Sequence, residues 1–280
     1  MGERKQWQVR AAAWELIALS FRYPGDALIE AVRSGEWAGA AHEIAEALGC
    51  CSDSERSFFL NLADAASDEA AAADFPHRLR VEATRLFVGA PRPVVSPYEG
   101  VWRAADDGVQ ALLFVNPHTM EVERFMRECG FVRPTTANEP LDHIATEAEL
   151  MEHLALRAAG IETAPESFGA GFPDQQVVDD LNDDRLAQPA AAAPDAHCPV
   201  QSITADFPNK SAAAYGQFLA THLLSWAPRF TAAVVEESTS PFYRAAATFL
   251  AMILREAENV TNRAVSFMGE YRSVFEELAR

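Results

Sequence analysis

Basic residues are scarce in this chain. Of 280 residues, 23 are Lys or Arg and 41 are Asp or Glu, giving a formal charge of −18. A surface of that sign repels phosphate backbones unless basic residues are concentrated somewhere, and the sequence has no such patch. Nucleic acid is therefore not an expected partner, and a cationic peptide or protein segment is. Cysteine is sparse too: Cys50, Cys51, Cys129 and Cys198, with no Cys-x-x-Cys. Thiols at that spacing suit neither a disulfide framework nor a zinc finger or thioredoxin motif, and small buried or half-buried side chains are the simpler reading. Long apolar runs are missing. The run from Ala11 to Phe21 is interrupted by Glu15, no small-residue cleavage site follows it, and nothing approaches the roughly 18 residues of a membrane span. The expectation is a cytoplasmic protein without stable membrane insertion.

Catalytic signatures are absent as well. There is no phosphate-binding GxxxxGK[ST] or GxGxxG, no GxSxG elbow and no HExxH, and none of the 7 histidines follows a Glu by three positions as a di-iron bundle requires. No catalytic residue, metal or cofactor is assigned.

What remains is ordinary globular composition, 49% hydrophobic and 23% charged, in a chain long enough to bury a substantial core. Its dominant period is helical. Trp7, Ala11, Trp14, Ile17 and Phe21 fall mostly three and four apart, and Tyr23-Pro24-Gly25 closes that run. Further helices are predicted from Asp26, over about 39–48, from Ser52 or Asp53, and over about 75–88. Residues 89–97 then read Gly-Ala-Pro-Arg-Pro-Val-Val-Ser-Pro, an extended segment that no helix tolerates. Asn116-Pro117 and Asn138-Glu139-Pro140 each begin a helix, the first ending at Gly130 and the second near Ala159. Residues 162–208 hold six prolines and nine acids against the single Arg185, about −8 of the total charge. This stretch reads as an acidic linker, with a short helix around 177–181. Helices return over 211–225, 229–237, 241–258 and 260–278. The predicted fold is all-α, a single globular helical domain. An N-terminal part spans 1–161 with its proline loop at 89–102, the acidic linker spans 162–208, and C-terminal helices over 209–280 pack back on the first part.

The segment from Glu139 to Glu152 carries five carboxylates and no Lys or Arg. As a helix, it places Leu141, Ile144, Ala148, Met151 and Ala155 on an apolar stripe and Glu139, Asp142, Thr146 and Glu149 on a neighbouring arc, with His143 and Glu147 paired four apart. Three readings stay open on these residues alone. The arc is a solvated face, or it awaits a cation, or Asp142, His143 and Glu147 take a metal.

Arg85-Leu-Phe-Val-Gly89, the proline loop running to Ser96-Pro-Tyr-Glu-Gly-Val-Trp102, and Asn138-Glu-Pro-Leu-Asp-His143 followed by Glu147 and Met151 resemble the TorD/DmsD (NarJ-like) family. Phe218-Leu-Ala-Thr-His222, Trp226-Ala-Pro228 and Phe242-Tyr243 look like that family's C-terminal helices. The likeness covers about 7–161 and 210–254. It implies an all-helical fold of the TorD type with a long acidic insertion, no catalysis, and service as a cytoplasmic chaperone for molybdoenzymes exported by the twin-arginine route. The implied partners are the apo catalytic subunit of a molybdopterin-dependent oxidoreductase and its twin-arginine leader. The implied peptide-binding residues are Asp142 and His143, flanked by Glu139 and Glu147, with Leu86, Phe87, Gly89, Pro97, Tyr98, Glu99 and Trp102 shaping the groove. Two positions depart from the family pattern: Ala83 replaces an aromatic residue, and Glu99-Gly100-Val101-Trp102 stands where Glu-Ser-Val-Tyr is usual. A metal-dependent enzyme built on His143 and an acidic adaptor working through the linker are the alternatives, and monomer and domain-swapped dimer are both open.

Overall fold

Local chemistry sets most helix ends in this chain. In the computed structural model, which describes residues 2–50, 52–89, 92–108, 116–131, 140–163 and 207–278 (side chains 209–261 in the last segment), α1 spans Glu3–Phe21 and stops ahead of Pro24. Helix α2 (Asp26–Arg33) and α3 (Glu36–Leu48) follow, α3 ending at Gly49 with φ 62°, a left-handed cap that only glycine adopts without strain. Helix α4 (Asp53–Ala70) opens on a capping box in which Ser52 and Glu55 satisfy each other's backbone amides. Helix α5 (Phe75–Ala83) runs on into a π-helical turn, Thr84–Val88. Then come α6 (Glu99–Asp106), α7 (Pro117–Glu128), α8 (Ile144–Ala158), α9 (Phe207–Phe218), a second π-helical turn at Leu219–Leu223, α10 (Leu224–Glu237) and α11 (Pro241–Leu278). The protein is all-α; among the described residues the only β pairing is one isolated bridge, Tyr98 to His143.

The structure corrects the sequence reading at four places. The proline loop does not run on to Trp102, because α6 begins at Glu99. The helix expected from Asn138 begins at Ile144, with His143 as its N-cap. No break separates the helices expected at 211–225 and 229–237 where Pro228 falls, because α10 carries the proline internally. A proline there costs roughly 3 kcal/mol, which burial of Trp226, Ala227, Phe230 and Val234 on the same helix offsets. Finally, α11 is continuous where two helices were expected. The short helix expected at 177–181 and almost all of the acidic linker lie outside the described residues.

Helix α8 is the axis of the fold. It lies between α1 and α9, while α11 packs on α4 and α10. From Leu141 to Ala158 it is buried almost all round, so its carboxylates are not a solvated arc; Glu147 and Glu149 are interior. Two indoles in the aromatic core find partners: Trp14 Nε1 donates to the Tyr215 hydroxyl at 2.9 Å, and Trp37 Nε1 to Ser20 Oγ at 2.9 Å.

Candidate functional site

Two π-helical turns and one bridge assemble the site. The turn at Thr84–Val88 leaves the carbonyls of Arg85 and Leu86 available, and these accept from the amides of Val94 (3.4 Å) and Val95 (2.8 Å). The loop is thereby stitched along the end of α5. A Cβ on Gly89 would lie 3.0 Å from the Arg92 carbonyl oxygen, so the reversal needs glycine. Farther on, Ile144 N–H donates to Pro97 O and Glu99 N–H to Asp142 O, both at 2.9 Å, clamping the loop to the start of α8.

Asp142 and His143 each cap a helix. Asp142 Oδ2 accepts from the Gly100 amide at 2.9 Å, satisfying an orphan donor in the first turn of α6, whose own N-cap, Tyr98, makes no side-chain cap bond. His143 Nδ1 accepts from the Ala145 amide at 3.1 Å, so the neutral ring carries its proton on Nε2, and Tyr98 meets the ring edge-on at 5.2 Å. Asn116 completes the joint. Its Nδ2 donates to Gly100 O at 2.7 Å while its Oδ1 caps α7 through the His118 amide at 3.0 Å.

Beneath the loop lies a closed network of ionisable groups. Glu99, 0% exposed, accepts from Arg103 at 2.7 Å and from His222 Nδ1 at 3.1 and 3.0 Å. Glu147, also 0% exposed, accepts from Trp226 Nε1 at 3.2 Å. Burial acts to raise the Glu99 carboxyl, but His222 and Arg103 hold it below its usual range. Burial and the neighbouring Glu99 charge push Glu147 well above its own. Burial likewise lifts Asp142 against the pull of the Gly100 amide. These groups bind the loop, α6, α7, α8 and α10 into one unit.

The structure therefore brings the expected residues together but turns most of them inward. Asp142 is 2% exposed and His143 6%. Leu86, Pro97, Glu99 and Glu147 are also buried, while Phe87, Gly89, Tyr98 and Trp102 are half-buried. The negatively lined trough is not open at Asp142 and His143; Glu139 lies outside the described residues. The accessible part is an apolar edge. Phe87 packs on Phe21, Phe230 and Tyr243 with Val88 and Val94 exposed beside it, and Trp102, tied to Ser96 O at 2.8 Å, lies under the Arg229 guanidinium at 5.6 Å. A separate shallow apolar groove of about 590 Å³ lies between α4, α10 and α11, floored by Ala247, Ala251 and Met252.

Asp142, His143 and Glu147 do not converge as metal ligands, since they point at Gly100, Ala145 and Trp226 respectively. Among the described residues no three His, Cys, Asp or Glu side chains do. Burial pushes the Cys129 thiol up to about 11, which fits a small packed side chain. Sequence reasoning assigned no role to Arg103, Gly100, His222 or Trp226. His222 and Trp226, one helical turn apart, were the available signal, but nothing local says that they face Glu99 and Glu147.

Among curated proteins, none matches the chain. No helix among the described residues is long and apolar enough to cross a membrane. A family model described as nitrate reductase delta subunit matches residues 36–181, just over half of the chain and the stretch that contains the loop, both helix caps and α8. The chain thus belongs to the nitrate reductase delta subunit family, the TorD- and NarJ-like chaperones of redox-enzyme maturation.

Proposed function

We propose that this protein holds the apo catalytic subunit of a molybdopterin-dependent oxidoreductase in the cytoplasm, together with its twin-arginine leader, until the cofactor is inserted. Family membership carries this reading. Two physical features support it. The chain is strongly acidic, as suits a ligand with two guanidiniums. The loop also offers half-buried Phe87, Tyr98 and Trp102 beside exposed Val88 and Val94, as suits an apolar leader segment. In this reading Phe87, Tyr98 and Trp102 touch the leader. Asp142 and His143 act through the loop they hold in place.

Titrating purified full-length protein with a fluorescent synthetic leader tests this. Binding should weaken as salt rises. Trp102→Ala and Phe87→Ala should each weaken it about 5- to 30-fold, the usual range for an aromatic anchor, with helical circular dichroism unchanged. Asp142→Ala should weaken it too, accompanied by faster hydrogen exchange in residues 94–100. Absence of binding to both the leader and the apo-subunit would refute the proposal.

A further inference from the structure

Arg244 is a cation in want of an anion. The chain carries 41 acidic residues against 23 basic ones, yet among the described residues no carboxylate pairs with this half-buried guanidinium, and its Nε is buried without an acceptor. A guanidinium does not shed its charge, so the need stays open at every pH a cell reaches. Helical register says where it stands. Arg244, Thr248, Ala251 and Arg255 recur at steps of four, three and four along one face of α11, and the last three line the groove of about 590 Å³ between α4, α10 and α11. Arg244 therefore sits one turn beyond the groove, at the end near the α10–α11 turn, and its carbonyl accepts from Thr248 Oγ1 at 2.8 Å. At the other end Arg255 is closed by Glu55, and Glu236 on α10 adds a charge that is exposed and screened by solvent. Between those ends the walls are apolar, with Phe58 of α4 45% exposed at the edge. An apolar trough with an unanswered guanidinium at one end suits a helix that carries both an apolar stripe and a carboxylate.

We propose that this groove binds an acidic amphipathic helix, and that its occupant is residues 177–184 of the same chain, Val-Val-Asp-Asp-Leu-Asn-Asp-Asp. At helical spacing Val177 and Leu181 are four apart, and so are Asp180 and Asp184. The side chains that fill an apolar trough and those that answer Arg244 thus fall on adjoining arcs. The chain leaves the described residues after Thr163 and returns at Phe207, with residues 164–176 on one side of the segment and 185–206 on the other. At roughly 3.4 Å per extended residue the shorter arm spans about 45 Å, more than twice the radius of gyration of about 19 Å for a compact chain of this length, so both arms reach the groove. Held in the same chain, the segment meets the groove at an effective concentration of about 1 mM. A second copy or a separate protein at micromolar concentration starts about a thousandfold behind. The inference is independent of the leader-binding reading.

Replacing Phe58, at the groove edge, by p-benzoylphenylalanine in the full-length protein and irradiating it tests the assignment. The expected result is a link within one chain to the fragment containing residues 177–184, identified by mass spectrometry, at a yield that Arg244→Glu lowers about fivefold or more. Asp180→Lys with Asp184→Lys should lower it to a similar extent. Combining those two changes with Arg244→Glu should restore the yield, which a purely structural role for Arg244 would not do. Links between two chains would assign the groove to a second copy and overturn the proposal; links to a separate protein, or none beyond the helices that line the groove, overturn it as well. Should the Arg244 variants fail to fold, a fluorescent synthetic peptide of residues 174–186 decides the matter. It should bind a chain whose own residues 177–184 are replaced by Gly and Ser about tenfold or more tightly than it binds the wild type, whose groove is already filled. Equal affinity for the two chains, or none for either, overturns the proposal.

Discussion

A methyl group at position 100 would stand 2.5 Å from Asn116 Nδ2 and 2.8 Å from Asp142 Oδ2. Gly100 is therefore where α6, α7 and the start of α8 touch, and the departure from the usual Glu-Ser-Val-Tyr has a physical reason. Asn116 fills the space that a serine side chain takes, and donates to the Gly100 carbonyl. Gly100→Ser should destabilise the protein by about 1–3 kcal/mol in urea unfolding, since neither neighbour is the free end of a long side chain. It should also slow or abolish leader binding through displacement of the loop. At this scale the sequence was informative about identity and silent about the helix caps. Asp142 and His143 stood out from their motif, but a carboxylate that caps the amide of Gly100, 42 positions away, reads locally as a surface acid.

At the scale of elements, α5 is bound to the α10–α11 turn as firmly as to the loop. Glu82 accepts from Arg85 (2.8 and 2.9 Å), from the Thr239 amide (2.8 Å) and from Ser238 Oγ (3.1 Å), and Arg85 donates in turn to Glu237 O at 2.7 Å. Burial works to raise Glu82, but these donors win and hold it down to about 2. A depressed carboxyl contributes stability above its ordinary 4.5 and loses it as pH falls through about 2. Glu82→Gln should therefore lower the urea midpoint at pH 7 and lie closer to the wild type at pH 3; an equal gap at both pH values would contradict this. Helix identities were legible here from periodicity and caps, as with the start at Ser52 or Asp53 and with Asn116-Pro117. The π-helical turns were not; their groups meet partners outside their own helices, the amides of Val94 and Val95 for the first and Glu99, through His222, for the second.

Across the whole molecule, α1 is tied to the far end of the chain. Arg10 donates to Glu256 at 2.6 and 3.3 Å, and both residues are buried. Removing one partner leaves the other charged and dry, so Arg10→Ala should cost about 3–5 kcal/mol in chemical denaturation. The double replacement Arg10→Met with Glu256→Leu should recover most of that loss, because the desolvation penalty disappears with both charges. If the double variant is as unstable as the single one, packing rather than charge holds α1 to α11.

The sequence by itself determined the helical class, several helix starts and the family, because these follow from residue spacing, capping chemistry and motif order along the chain. Only the tertiary structure decided which acids are inside. A run of carboxylates looks the same to local reasoning whether it meets water or a neighbouring helix. Here α1 and α9 enclose α8, and His222, Arg103 and Trp226 arrive from other helices to hold Glu99 and Glu147 there. Burial and pairing are properties of what packs against a segment, so a motif can announce a site without saying which of its side chains a ligand meets.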